Sequence, residues 1–208
     1  MPRTYKSVDK AQQILTGALP EFLKYGYART SMDRIASSAG VSKQTLYSHF
    51  SDKEGLFRAL IEHMGARKFQ LVWSKPLRGE PEEVLRGLAE RILSEVNEKD
   101  HLAFARLIVA ESRERPDLGE LFLKNVAKPA MKILIEYFQD RPELKFKDPE
   151  AIARIFVGSL IHFIMTQEIF GGKKFMPMES DRIVDSLIEL VLTNCQKSSK
   201  NQKNDLIS

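Results

Sequence analysis

The sequence predicts an all-α protein: an N-terminal three-helix helix-turn-helix domain followed by a larger helical body. Three observations lead there. Apolar residues recur at three- and four-residue intervals along nearly the whole chain. No segment sustains the two-residue alternation of a half-buried strand, and no repeat of solenoid length is present. Capping residues, prolines and glycines punctuate the periodic stretches where helices should start and stop.

The first helix is carried by Val8, Ala11, Leu15, Ala18, Leu19 and Phe22. Pro20 is expected to kink or shorten it, and Gly26 to close it. A short second helix opens at Thr30 or Ser31 and buries Met32, Ile35, Ala36 and Ala39. Gly40 permits a tight turn, after which Ser42 caps a third helix, Lys43 to Phe50. Ser51 and Glu54 have the spacing of a capping box and open a long helix reaching about Trp73. SKPLRGEP (74–81) breaks the chain. Further helices are expected at about 81–98, 101–114, 117–140, 149–170 and 180–196, with Asp148-Pro149 a cap and first-turn proline. The chain thus divides into a helix-turn-helix segment at 1–52, a body at 53–196, and a polar tail at 197–208 expected to be disordered.

Bulk properties narrow the function. Cys195 is the only cysteine, which excludes an intramolecular disulfide framework and fits a reducing compartment. No apolar leader opens the chain, and the longest uncharged apolar run, 155–165, is short of the roughly 20 residues a spanning helix needs. A soluble cytoplasmic protein with no membrane partner is expected. Residues 1–55 carry eight Lys/Arg against five Asp/Glu, whereas 56–193 carry 21 against 22. A basic N-terminal segment on a neutral body suits a polyanion there. No HExxH, GxSxG, GxGxxG or P-loop pattern occurs, and His63, His101 and His162 lack an i,i+4 ligand partner. Neither an enzyme, a cofactor nor a metal site is expected.

The stretch GVSKQTLYSHF (40–50) crowds hydrogen-bonding side chains onto one short helix. Val41, Leu46 and Phe50 provide its packing face. Lys43, Gln44, Thr45 and Ser48 supply donors and acceptors suited to base edges in a major groove. Tyr47, His49 and Lys53 suit phosphates at the margins, and the amides near Ser42 add partial positive charge.

Residues 30–57, TSMDRIASSAGVSKQTLYSHFSDKEGLF, resemble the DNA-binding domain of the tetracycline-repressor (TetR/AcrR) family of bacterial regulators. The resemblance lies in Thr30-Ser31, Ile35-Ala36, Ala39 to Ser42, Leu46-Tyr47, His49-Phe50, Lys53 and Leu56. It implies that Lys43, Gln44, Thr45 and Ser48 face bases, with Ser31, Tyr47, His49 and Lys53 at the backbone. Many relatives have glycine where this chain has Gln44, so a bidentate adenine contact there would be particular to this chain.

In the body, 149–170 is apolar nearly all round and 180–196 carries more than one apolar stripe, so both need covering on several sides. A homodimer through residues 149–196 supplies that cover, and the resemblance implies the same. Trp73, His101, Phe104, Met131, His162 and Met165 are the expected lining of an apolar effector cavity. The reading is a ligand-responsive regulator, more a repressor than an activator, binding a palindromic double-stranded DNA operator and released by a small, largely apolar molecule. The alternative is an all-α ligand-binding or scaffold protein that has lost DNA binding.

Overall fold

A computed structural model describes residues 3–94 and 99–204, with side chains described over 10–67, 69–94 and 102–193. Ten α-helices occur among the described residues: α1 (Arg3–Arg29), α2 (Met32–Ser38), α3 (Lys43–His49), α4 (Lys53–Trp73), α5 (Pro81–Ser94), α6 (Lys99–Glu111), α7 (Pro116–Phe122), α8 (Lys128–Gln139), α9 (Pro149–Ile164) and α10 (Ser180–Asn204). The described residues contain no strand.

The chain forms two compact units, residues 1–67 with 103–125, and 68–102 with 126–208. This division does not follow the chain cut at 52/53. The N-terminal half of α4 and the α6–α7 corner belong with the first three helices because they share one core. Ile14, Phe22, Ile35, Leu46, Phe57 and Leu118, from five different helices, are all fully buried in it. Burying an aromatic such as Phe22 or Phe57 contributes about 1.5–3 kcal/mol.

Local chemistry sets where the first helices begin and end. Pro20 sits exposed within α1 without ending it; the one non-helical residue there is Gly26, at φ 71° and ψ 174°. Positive φ costs glycine nothing, which is why the break falls at 26 and not at the proline. The α2–α3 turn lies so close to α1 that a Cβ at Gly17 would sit 2.5 Å from the Ala39 Cα. Any larger residue there must push the turn away.

Three side chains then saturate the corner between α1 and α2. The last carbonyls of a helix have no partner within it. Thr30, 2% exposed, aims its hydroxyl at the Gly26 and Glu21 carbonyls, at 2.7 and 3.1 Å. Lys53 Nζ donates to the carbonyls of Tyr27 (2.9 Å), Ala28 (3.2 Å) and Thr30 (2.9 Å). The Glu111 carboxylate accepts from the Tyr27 amide at 3.1 Å. The Tyr27 ring packs on Phe57 at 5.0 Å between centroids.

The cap of α4 is Asp52, whose Oδ1 accepts from the Gly55 amide at 2.7 Å, not the expected Ser51. Glu54 does not reach back as a capping box requires; it pairs with Arg115 at 3.0 Å. Arg115 and Arg58 both reach Asp117, at 3.3 and 2.7 Å.

In the second unit α5, α8, α9 and α10 pack round Leu85, Leu88, Leu134, Phe138, Phe156 and Leu187. Arg91 of α5 donates to the Val72 carbonyl at the end of α4, 2.9 Å away. The segment expected as one helix at 117–140 is interrupted by a π-turn at Leu123–Ala127. Pro129 lies just beyond it; with no N–H, and a ring that crowds the carbonyl four residues back, it widens the ladder. Helix α9 also ends in a π-turn, Met165–Ile169, closed by the Phe170 amide on the Met165 carbonyl at 2.9 Å. By length and composition 149–169 would suffice to cross a membrane, but Ala153, Phe156, Leu160 and Phe163 form a buried face in this unit. Helix α10 continues to Asn204, where a tail from 197 was expected to be disordered; no glycine or proline follows Ser180 to stop it. Residues 205–208 lie outside the described residues.

Two measurements test this arrangement. Lys53→Met leaves three carbonyls without their donor and is expected to lower unfolding stability by about 2 kcal/mol in urea titration. Lys43→Met, which removes only an exposed ion pair, should change it by less than about 0.5 kcal/mol. The Arg115 hydrogen bond, then Arg115 and Arg58 charge, holds the Asp117 carboxyl below its ordinary range. A depressed carboxyl stabilises the fold above its unfolded-state pKa of about 4 and loses that contribution as pH falls through the lowered value. Asp117→Asn should therefore reduce stability at pH 7 and flatten its loss on acidification.

Candidate nucleic-acid interface

The α2–turn–α3 element is built by two side-chain caps and one glycine. Ser31 Oγ accepts from the Arg34 amide at 3.3 Å, and Ser42 Oγ from the Thr45 amide at 3.0 Å. Gly40 makes the turn at φ 63°. Gln13 of α1 ties the turn down, donating to the Ala39 carbonyl at 2.7 Å. Leu46, fully buried, anchors α3 in the core, with Val41 and Phe50 packed partly against it.

The opposite side of α3 is the polar one. Lys43, Gln44, Tyr47 and Ser48 are exposed, Tyr47 by half; Thr45 and His49 are half-buried. The Gln44 side chain makes no hydrogen bond among the described residues. Lys43 Nζ is paired with Asp33 Oδ2 of α2 at 2.7 Å, both groups well exposed. Ser48 donates to the Thr45 carbonyl at 2.8 Å, so its oxygen remains an acceptor. Thr45 is the least available of the four expected base readers, because its hydroxyl lies 2.8 Å from Ser42 Oγ.

Several of the expected contact residues have partners within the protein. Lys53 was expected at phosphates, yet its ammonium donates to three carbonyls and faces the Tyr27 ring at 4.5 Å. An ammonium has three N–H bonds, and all are engaged. The hydroxyls of Ser31 and Ser42 are acceptors for their own helices. Sequence reading missed Arg34, exposed on α2, and Tyr25, over whose ring the Arg34 guanidinium lies at 4.4 Å. Lys24 beside the phenol, and then Arg34, lower the Tyr25 pKa from its ordinary value. Nothing short of the fold brings residues 24, 25 and 34 together; the residue types alone carried no signal.

The expected effector residues stand in different surroundings. Trp73 and Met131 pack within the core of the second unit and Phe104 within that of the first. His162 is exposed, Met165 is half-buried at the start of the π-turn, and the His101 side chain lies outside the described residues. Helical periodicity identifies buried faces, and at Trp73, Phe104 and Met131 those faces belong to the cores. The second unit does contain a cavity of about 530 Å³. Leu93, Phe163, Met178 and Val184 give it an apolar wall, and Glu90, Glu168, Lys173 and Asp181 a mostly acidic one. In the same unit the Tyr137 hydroxyl is buried with no hydrogen-bond partner among the described residues, and burial pushes its pKa up.

Comparison with known proteins now identifies the class. Residues 14–60 match the profile of bacterial regulatory proteins of the tetR family, and residues 83–195 that of the AefR-like transcriptional repressor C-terminal domain. The crystal structure of a Mesorhizobium loti protein assigned to the same regulator family is similar, with a TM-score of 0.77 and 28% identity over 90% of this chain and 96% of that one. The flavonoid-responsive regulator FrrA has a TM-score of 0.70 and 27% identity over 91% and 96%. The transcriptional repressor AcnR of Corynebacterium efficiens is 25% identical over 80% of this chain and 86% of its own. With matched domains covering both the helix-turn-helix and the helical body, this chain belongs to the TetR family of bacterial transcriptional regulators.

Proposed function

We propose that the protein is a ligand-responsive repressor that binds a roughly palindromic operator as a homodimer. The observation that carries this is the outer face of α3. Lys43, Gln44, Tyr47 and Ser48 are exposed while Leu46 beneath them is fully buried. A helix held this way presents donors and acceptors to base edges without disturbing its own packing. Lys43 must exchange Asp33 for DNA, a small cost because exposed ion pairs contribute about 0–1 kcal/mol. Tyr47, His49 and Arg34 are the proposed phosphate contacts; Lys53 instead sets the corner from which α2 starts.

Dimerisation is proposed through residues 149–196. The buried faces of α9 and α10 leave Ile155, Ile161 and Leu190 exposed, at 57%, 42% and 67%. Large apolar side chains exposed on two long helices support a partner surface. Two copies would place their α3 helices one helical turn of DNA apart, about 34–36 Å. Repression is supported by the likeness to AcnR, and response to a small molecule by the likeness to FrrA. The proposed effector site is the cavity of about 530 Å³, which suits an apolar body carrying a polar end. An effector that binds a misaligned dimer better than the aligned one lowers operator affinity by that difference.

Selection of bound duplexes from random DNA is the decisive experiment; recovery of no preferred sequence at low salt would favour the ligand-binding or scaffold alternative. Gln44→Ala should change the preferred base at one position, at about 1–3 kcal/mol if the contact is bidentate. Tyr47→Phe should weaken all sequences alike. Equal behaviour of the two would refute the assignment of faces. In sedimentation at micromolar concentration the wild type should be a dimer and Leu190→Glu a monomer.

A further inference from the structure

We infer that Glu111, at the C-terminal end of α6, is a positioning residue for the DNA-reading helices; the inference rests on the DNA-binding reading above. Its Oε1 accepts from the Tyr27 amide at 3.1 Å, across 84 residues of sequence. Gly26, at φ 71°, breaks the α1 ladder immediately before that amide. The same Oε1 would lie 3.6 Å from a Cβ at Gly26, so the carboxylate packs directly over the break. A carboxylate accepting from a backbone amide makes a stronger bond than a neutral acceptor.

The rest of Tyr27 is held from other directions. Lys53 takes its carbonyl, and its ring has Lys53 Nζ at 4.5 Å and the Arg115 guanidinium at 5.0 Å. Four residues on, Ser31 caps α2, and α2 packs on α3. The direction in which α2 leaves the corner therefore depends on how Tyr27 is fixed. The hydrogen bond of Glu111 is to the end of α1, outside the base-reading α3. It governs where the readers stand.

The test uses the full-length protein and a duplex obtained by the selection above. Glu111→Ala should lose about tenfold in affinity with an unchanged salt dependence, since no phosphate contact is removed. Amides of 27–38 should exchange hydrogen faster, while the global melting temperature stays within about 3 °C of the wild type. Glu111→Gln keeps an acceptor and should retain most of the affinity. Wild-type affinity and wild-type exchange in the alanine variant would overturn the inference. So would a fall in melting temperature, equal in both variants, that accounts for the whole loss of binding. Should the alanine variant fail to fold, the wild type decides: a Tyr27 amide exchanging as fast as an exposed one overturns the inference, and a protected one whose protection falls in the glutamine variant supports it. A wild type that selects no duplex defeats the DNA-binding reading itself. A wild type that binds, beside an alanine variant that binds equally well, defeats only the role given to Glu111.

Discussion

The corner between α1 and α2 is the constraint on which the DNA-reading unit depends. A helix that stops inside a protein leaves carbonyls and amides that must find partners or cost stability. Here the stop is abrupt, because Gly26 turns the backbone in a single residue. Thr30, Lys53 and Glu111 between them satisfy six backbone groups of residues 21–30, five carbonyls and one amide. They come from the corner itself, from the start of α4 and from the end of α6. Distant parts of the chain thus meet at the point where α2 begins.

That arrangement explains why the first compact unit reaches beyond the helix-turn-helix. The first three helices alone would make a marginal core, since small domains bury a smaller share of their surface. Leu56, Phe57, Leu60 and Ile61 of α4, with Phe104, Leu107 and Leu118, enlarge it. The ion pairs of Glu54, Arg58, Arg115 and Asp117 surround the same contact, half-exposed and individually weak.

Much of this was legible in the residues. The glycine turn, the Ser31, Ser42 and Asp148 caps and the buried Leu46 all follow from short-range rules, in which residue type and spacing decide the outcome. Where two local signals competed, the outcome turned on contacts. Ser51 and Asp52 are both good caps, and Asp52 took the place while Glu54 went to Arg115. The π-turn before Pro129 was equally invisible, because periodicity does not separate a widened helix from a regular one.

By itself, the sequence determined the helical class, the two short helices with their turn, and which face of α3 is polar, because these depend on residues within one or two turns of each other. Only the tertiary structure decided that Lys53 belongs to a backbone corner, that Glu111 meets Tyr27, and that Trp73, Phe104 and Met131 belong to the cores while a different set borders the cavity. The physical reason is range. A side chain's hydrogen-bond capacity is written in its type, but which groups exhaust it depends on segments tens of residues away.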